Sequence, residues 1–236
     1  MIEFGHGTHV GLRRPCNEDT YCADGSTGLF LVADGMGGHT HGDLAAALAR
    51  DMVSSEVRHG QSLTTALRVA SLGIDARRQH NGDASPMGTT VAALRIADHH
   101  FEAAWVGDSC LYLLHGNRLH ALSRDRQTWP ELASSGVLDA DTIEHAECPN
   151  ALTQTLGVTR SQDLNIASMR GRLLPGAMFL VCTDGLSEDV PTATLAALLA
   201  RADLAAQEIV DQLLLAALDA GGRDNATAIV IRCRRS

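Results

Sequence analysis

Four aspartates stand beside short apolar stretches that have the composition of buried strands. Asp34 ends the run LFLVADG, Asp184 ends MFLVCTDG, Asp108 follows AWVG, and Asp224 precedes ATAIVI. Taken one at a time, each is an ordinary turn aspartate, because Asp-Gly is a frequent turn signal. A turn does not require aspartate, however, and Asn or Ser would serve it equally well. The four together therefore indicate a function beyond turn formation.

Carboxylates that converge at the end of a sheet repel one another unless a cation neutralises them. No cysteine pair or histidine pair accompanies these aspartates, so their oxygens suit a hard divalent ion, Mg²⁺ or Mn²⁺. The glycines that follow Asp34 and Asp184 would let a backbone carbonyl or a water approach such an ion closely. The pattern predicts a divalent metal site at the strand ends.

A charged segment near the start of the chain, RRPCNEDTY, contains both arginines and acids. By itself it is typical of a solvated surface loop. Beside a cluster of carboxylates and metal, Arg13 or Arg14 could hold the oxygens of a phosphate through its forked guanidinium group. Glu18 and Asp19 add two further carboxylates to the same region.

The sequence contains no lysine, since all 19 basic residues are arginine. Schiff-base enzymes and P-loop nucleotide-binding proteins both need a lysine amine, so both classes are excluded. The motifs G-x-S-x-G and H-E-x-x-H are absent as well. The six cysteines have no C-x-x-C spacing, and none has an arginine six positions on, which argues against structural zinc and a cysteine-nucleophile phosphatase. We expect reduced, mostly buried thiols. We expect five histidines to lie at the surface and not to bind zinc: His6, His9, His41, His99 and His100.

The formal net charge is −9, and the field of an acidic protein disfavours both nucleic acid and anionic membranes. No apolar run has the length of a membrane span, and the N-terminus lacks the basic and apolar regions of a secretory signal. We therefore expect a cytoplasmic monomer with no nucleic-acid partner and no membrane insertion.

Short apolar runs predict strands at residues 28–33, 89–96, 101–106, 111–115, 178–182 and 227–232. Helical periodicity predicts helices at 43–59, 62–80 and 204–220. Hairpin-like breaks between neighbouring strands indicate antiparallel sheets with helices outside them, so the expected fold is α+β, a four-layer α-β-β-α sandwich. Residues 126–150 are polar with two prolines, and we expect them to form an irregular, flap-like segment of a single domain that spans 1–236.

Seven motifs occur in one order along nearly the whole chain: GLRRPCNED (11–19), VADGMGGHTHG (32–42), MGTT (87–90), GDS (107–109), NALTQTLG (150–157), VCTDGL (181–186) and GGRDNAT (221–227). Singly, MGTT or GDS means little, but ADGMGGH with CTDGL and GG-x-DN-x-T is a highly specific combination. The chain resembles the type 2C (PPM) metal-dependent serine/threonine protein phosphatases in their compact bacterial form.

The resemblance implies hydrolysis of protein phosphoserine and phosphothreonine by in-line attack of a water that bridges two Mn²⁺ or Mg²⁺ ions. By position, Asp34 would bridge the ions, the Gly35 carbonyl would bind one, and Asp184 and Asp224 would hold the other. Glu18 and Asp19 would act partly through metal-bound water. Arg14 would bind the substrate phosphate, with Arg13 the weaker candidate. Asp108 would form a third, weaker metal site together with Asp184.

The chain departs from the family pattern at several positions, namely Cys110 after GDS, Arg126 and Gln127 in LSRDRQ, and Gln154 in LTQTLG. None of them removes a core metal ligand, so they concern substrate choice and the flap. The leaving-group acid is His39 or a water, because Met36 stands where some members have histidine. Two other functions stay open at this point, a catalytically weak regulatory module and a small-molecule metal phosphohydrolase. The implied partners are phosphorylated proteins and a bacterial serine/threonine kinase, or a secretion system that such a pair controls.

Overall fold

The computed structural model describes residues 2–37, 41–80, 86–139, 141 and 153–233. Within these ranges the strands are Ile2–His9 (β1), Asp19–Asp24 (β2), Leu29–Met36 (β3), Gly88–Thr89 (β4), Val91–Ala97 (β5), His100–Val106 (β6), Cys110–His115 (β7), Arg118–Ala121 (β8), Ala167–Arg172 (β9), Met178–Cys182 (β10) and Ala226–Cys233 (β11). The helices are Gly42–Arg58 (α1), Leu63–His80 (α2), Trp129–Ser134 (α3), Asp184–Ser187 (α4), Thr192–Leu199 (α5) and Ala206–Asp219 (α6), with a 3-10 turn at Arg126–Thr128.

The strands form two antiparallel sheets that face each other. The first sheet has the order β1-β11-β10-β7-β8, and the second has the order β2-β3-β5-β6-β9 with β4 paired to β3. A hydrophobic core fills the space between them, and Phe101 of the second sheet meets Phe179 of the first edge to face at 5.1 Å. Helices α1 and α2 cover the outer face of the second sheet, while α4, α5 and α6 cover the first. The predicted α+β sandwich with four layers is confirmed.

Strand β3 shows why its sequence is apolar at five successive positions. Phe30 and Val32 point into the core between the sheets, whereas Leu29, Leu31 and Ala33 point towards α1 and α2. A strand buried on both faces lacks the alternation of polar and apolar residues that a half-exposed strand shows. The run ends at Asp34, the first residue along β3 that is partly exposed.

The three predicted helices match α1, α2 and α6 to within two residues at each end. Strands β1, β2, β8 and β9 were not predicted. Strand β1 reads IEFGHGTH, and its glycine and histidine content gives no strand signal. Gly5 is needed there because a Cβ atom at this position would lie 2.5 Å from the backbone of Gln207 in α6. The packing of a distant helix therefore determines the residue.

The described part of the expected flap, residues 126–139 and 141, is anchored to the sandwich. Trp129 and Leu132 of α3 are buried in the core between the sheets, and Trp129 Nε1 donates a hydrogen bond to the Leu122 carbonyl at 3.1 Å. Residues 140 and 142–150 lie outside the described residues. In the same described ranges, no helix has the length and apolar character needed to cross a membrane.

Candidate active site

A cleft of about 640 Å³ opens where the ends of both sheets meet. The residues predicted from the sequence that line it are Arg14, Glu18, Asp34, Gly35, Asp108, Asp184 and Asp224. Asp19 is buried next to this group, opposite Asp34 in the pairing of β2 with β3. The fold thus brings all of these residues to one end of the sandwich.

The backbone of Asp34 is fixed by two threonines from the segment that joins β4 to β5. The Asp34 carbonyl accepts hydrogen bonds from Thr89 Oγ1 at 2.8 Å and from the Thr90 amide at 2.9 Å. The Asp34 amide in turn donates to Thr90 Oγ1 at 3.3 Å. These bonds hold the main chain of Asp34 at the cleft that the residue lines.

Asp19 is tied to two other strands of the site. Its Oδ2 accepts hydrogen bonds from Thr183 Oγ1 at 2.8 Å and Thr227 Oγ1 at 2.7 Å. Thr183 directly precedes Asp184, and Thr227 lies three residues after Asp224. The Asp19 carboxyl group therefore connects the segment that carries Asp184 with the segment that carries Asp224. Burial raises the pKa of Asp19 to about 7, against the opposing effect of these two hydrogen bonds.

Burial also raises the pKa of Asp34 to about 9, with further contributions from the charges of Asp19 and Asp184. The pKa of Asp184 is raised by burial and then by the charge of Asp108, while a hydrogen bond with the Asp34 carboxyl group lowers it. Burial and the mutual repulsion of these carboxylates both disfavour having all of them charged. The electrostatics are those of a site that favours a cation.

Three buried carboxylate oxygens in the described part of the chain have no hydrogen-bond partner: Glu18 Oε1, Asp19 Oδ1 and Asp184 Oδ1. All three belong to the predicted site, and buried oxygens without a partner are costly unless an ion or water completes them. Among the described residues, however, no three histidine, cysteine, aspartate or glutamate side chains are already gathered closely enough to hold an ion. The carboxyl groups are neighbours, but they do not form a finished ligand cage.

Gly35 follows Asp34 at a point where the chain has no room for a side chain. A Cβ atom there would lie 2.0 Å from the Gly42 carbonyl oxygen, at the start of α1, and 2.8 Å from that of Glu18. The Gly35 amide donates to the Glu18 carbonyl at 3.2 Å. Glycine therefore allows β3, α1 and the segment before β2 to meet at the cleft.

Asp108 lies in the turn between β6 and β7, on the side of the cleft nearest Asp184. The neighbouring Ser109 Oγ forms a buried hydrogen bond of 2.7 Å with Thr90 Oγ1. Arg124 donates to the Asp108 carbonyl at 3.0 Å, which holds the turn from a third element. Thr90 thus connects the backbone of Asp34 to the turn that carries Asp108.

Arg14 lies at the mouth of the cleft, and its Nη2 is 2.5 Å from Asp224 Oδ2. About half of the Arg14 side chain is exposed, so the pair is open to solvent. The hydrogen bond and charge of Asp224 raise the pKa of the Arg14 guanidinium group. Arg13 is not among the residues that line the cleft, which favours Arg14 of the two arginines.

Several supporting residues escaped the sequence analysis, namely Thr89, Thr90, Thr183, Asn225 and Thr227. All five are buried polar residues within a strand or directly next to one, and buried polar groups are kept only with a partner. Gln154 has both ends of its amide engaged, with the Asp163 carbonyl at 2.9 Å and the Asn165 amide at 2.7 Å. The suggested leaving-group acid His39 lies outside the described residues.

Comparison with known proteins gives one consistent result. The family model described as protein phosphatase 2C matches residues 8–219. The serine/threonine protein phosphatase PstP of Mycobacterium tuberculosis is 30% identical over 237 residues, which cover 98% of this chain and 45% of that protein.

Two solved structures share the fold closely. One is PppA, described as a key regulatory component of T6SS in Pseudomonas aeruginosa, with a TM-score of 0.78 and 30% identity over 98% of this chain and 97% of that chain. The other is the catalytic domain of PstP in complex with two manganese ions, with a TM-score of 0.80 and 25% identity over 99% of each chain.

Proposed function

The chain belongs to the protein phosphatase 2C family, and from that premise we propose that it hydrolyses phosphoserine and phosphothreonine on proteins at a binuclear Mn²⁺ or Mg²⁺ centre. The observation that carries the proposal is that Asp34 and Asp184 line one cleft with Asp19 buried beside Asp34, and that Asp19 and Asp184 each have a buried oxygen without a partner. Relatives named serine/threonine phosphatases and a PstP structure with two manganese ions support it.

The donor set fits a hard divalent ion, because every side chain that would hold it offers carboxylate oxygen. Asp34 would contact both ions, the Gly35 carbonyl would complete one site, and Asp184 and Asp224 would complete the other. Glu18 and Asp19 would act partly through metal-bound water, and Asp108 with Asp184 would form a third, weaker site. When bound, two divalent ions supply an activated water for in-line attack on phosphorus and stabilise the charge on its oxygens.

The carboxyl groups of this chain would have to change partners as the ions bind. Asp34 and Asp184 would both have to be ionised to hold the ions, which their raised pKa values oppose and a nearby positive charge would favour. Asp224 would exchange Arg14 for an ion. The first change would relieve the repulsion between neighbouring carboxylates, and the second would free Arg14 to bind phosphate.

Arg14 is the residue that makes an acidic cleft accept a phosphate dianion. Its pairing with Asp224 places the guanidinium group at the mouth of the cleft, and its exposure leaves it free to turn towards a ligand. Once released from Asp224, the guanidinium fork would bind two phosphate oxygens and hold the substrate in line for attack. The proposed substrates are phosphoproteins, and the proposed partner is the serine/threonine kinase that forms them.

The proposal is tested by assaying p-nitrophenyl phosphate and a phosphothreonine peptide with Mn²⁺ and with EDTA. We expect hydrolysis of both substrates with Mn²⁺, loss in EDTA, and recovery when Mn²⁺ is restored. Replacing Asp34, Asp184 or Asp224 by asparagine should reduce turnover by more than about 100-fold while the protein stays folded. Hydrolysis of the small phosphate alone would contradict a protein substrate, and full activity in EDTA would contradict the metal mechanism.

A further inference from the structure

The segment that carries Arg14 joins β1 to β2 and has little hydrophobic anchoring of its own. We define the Arg14 loop as residues 10–18. Residues 12–16 at its centre are all exposed to solvent, so burial of apolar surface does not fix their backbone. The position of the Arg14 guanidinium group therefore depends on its contact with Asp224 and on the hydrogen bonds that tie this loop to the rest of the protein.

One buried side chain supplies three of those hydrogen bonds. Asn225 is only 6% exposed, and its Oδ1 accepts a hydrogen bond from the Glu18 amide at 2.8 Å. Its Nδ2 donates to the Val10 carbonyl at 2.8 Å and to the Cys16 carbonyl at 3.0 Å. The Asn225 side chain thus holds both ends of the loop, on either side of Arg14.

The Arg14 loop also makes single hydrogen bonds to other residues. The Leu12 amide donates to the Gly222 carbonyl at 2.7 Å, and Asn17 Nδ2 donates to Thr8 Oγ1 at 2.9 Å. The Gly35 amide also donates to the Glu18 carbonyl at 3.2 Å, but each of these three contacts holds the loop on one side of Arg14 only. Only a side chain with an acceptor and two donors can make all three contacts of Asn225, and among the common residue types an amide meets that requirement.

We propose that Asn225 is a positioning residue for phosphate binding, which acts by holding the Arg14 loop so that the guanidinium group faces the cleft. This inference rests on the proposed role of Arg14. The physical basis is conformational entropy. An arginine that becomes fixed only when phosphate binds loses conformational entropy, and this loss reduces the affinity. An arginine on a loop that is already held in place loses less. Asn225 itself would not touch the phosphate.

The inference is tested on the Mn²⁺-loaded full chain with Asn225→Ala, Arg14→Ala and the double variant. For each we would measure inhibition by inorganic phosphate, together with KM and kcat for a phosphothreonine peptide. Asn225→Ala is expected to raise the phosphate inhibition constant and KM by about 10-fold while kcat falls by less than about 3-fold. The double variant should be no weaker in phosphate binding than Arg14→Ala alone, because both changes remove the same contact.

Amide hydrogen exchange gives a measure that does not depend on activity. In Asn225→Ala, exchange in the peptide covering residues 10–18 should speed up relative to the wild type, while exchange in α2 should not change. A control is Glu102→Ala, which removes partly buried polar contacts made by a residue that does not line the cleft. It should lower thermal stability without changing KM. If Asn225→Ala does not fold, Asn225→Ser, whose shorter side chain cannot reach both carbonyls, is measured in the same way.

The possible results distinguish a failure of the proposed Arg14 role from a failure of the proposed Asn225 role. If Arg14→Ala leaves phosphate inhibition unchanged, the proposed role of Arg14 is wrong and the inference falls with it. If Arg14→Ala weakens phosphate binding but Asn225→Ala does not, only the inference is overturned. The inference would also be overturned if Asn225→Ala weakened phosphate binding equally with and without Arg14. The same holds if the variant changed only the Mn²⁺ concentration needed for activity.

Discussion

Replacing Asp34 with asparagine should make the metal-depleted protein more stable and, at the same time, inactive. Burial and the nearby carboxylates raise the pKa of Asp34 to about 9, whereas an aspartate in the unfolded chain titrates near 4. Folding at neutral pH therefore requires Asp34 to take up a proton. Each pH unit above the unfolded value costs about 1.4 kcal/mol, so at pH 7.5 the cost reaches up to about 5 kcal/mol.

The sign of the pH dependence follows from the raised pKa. Stability contributed by a protonated Asp34 is complete below about pH 4 and is lost as the pH rises towards 9. Asparagine needs no proton, so Asp34→Asn should be less sensitive to pH over this range. At pH 7.5 in EDTA, a gain of 2 to 5 kcal/mol would raise the midpoint of thermal unfolding by roughly 5 to 15 °C for a chain of this size.

The assay is thermal unfolding of wild type and Asp34→Asn at pH 5.5, 7.5 and 9, in EDTA and in Mn²⁺. We expect the variant to exceed the wild type in EDTA, by most at pH 9, and to gain much less than the wild type from Mn²⁺ because it has lost a proposed ligand. A variant that is less stable than wild type in EDTA at pH 7.5, or one with the same pH dependence, would refute this account of the site.

Three further outcomes are expected. Arg14→Ala should raise KM for a phosphothreonine peptide by about 10-fold or more, with a smaller fall in kcat; a larger effect of Arg13→Ala would mean that the neighbouring arginine binds the phosphate. Asp108→Ala should leave two ions bound but shift the Mn²⁺ concentration needed for half-maximal turnover upward, and superimposable titration curves would mean that Asp108 only shapes its turn. Glu102→Ala should lower the free energy of unfolding by about 1 to 2 kcal/mol. Glu102 Oε1 accepts a hydrogen bond of 3.2 Å from the amide of Leu63, the first residue of α2, and lies 3.6 Å from Arg170 Nη2. Chemical denaturation measures that change, and an unaltered midpoint would contradict it.

The layers of the fold were predictable because its central strands are apolar throughout. Strand β3 carries five successive apolar residues that are buried on two faces, and that run is visible in the sequence. Strand β1 was missed because Gly5 is determined by its contact with the backbone of Gln207, about 200 positions later. Local periodicity has no access to a contact of that kind.

The convergence of Asp34, Asp108, Asp184 and Asp224 was predictable for a similar reason, since each stands beside an apolar run. Their supporting groups were not. Asp19 accepts hydrogen bonds from Thr183 and Thr227, which are 164 and 208 positions away, and Asn225 holds a loop that lies at the opposite end of the chain. Such partners are brought together only by the stacking of the two sheets, so their roles emerge with the fold.

The most direct test of a binuclear phosphatase centre is to follow bound metal and turnover in the same sample. EDTA-treated protein, freed of chelator, would be titrated with Mn²⁺ while the bound ions per chain and the hydrolysis of a phosphothreonine peptide are both recorded. We expect turnover to be absent without Mn²⁺ and to rise as the second ion binds. Turnover with no ion bound, or turnover that is complete with one ion per chain, would contradict the central claim.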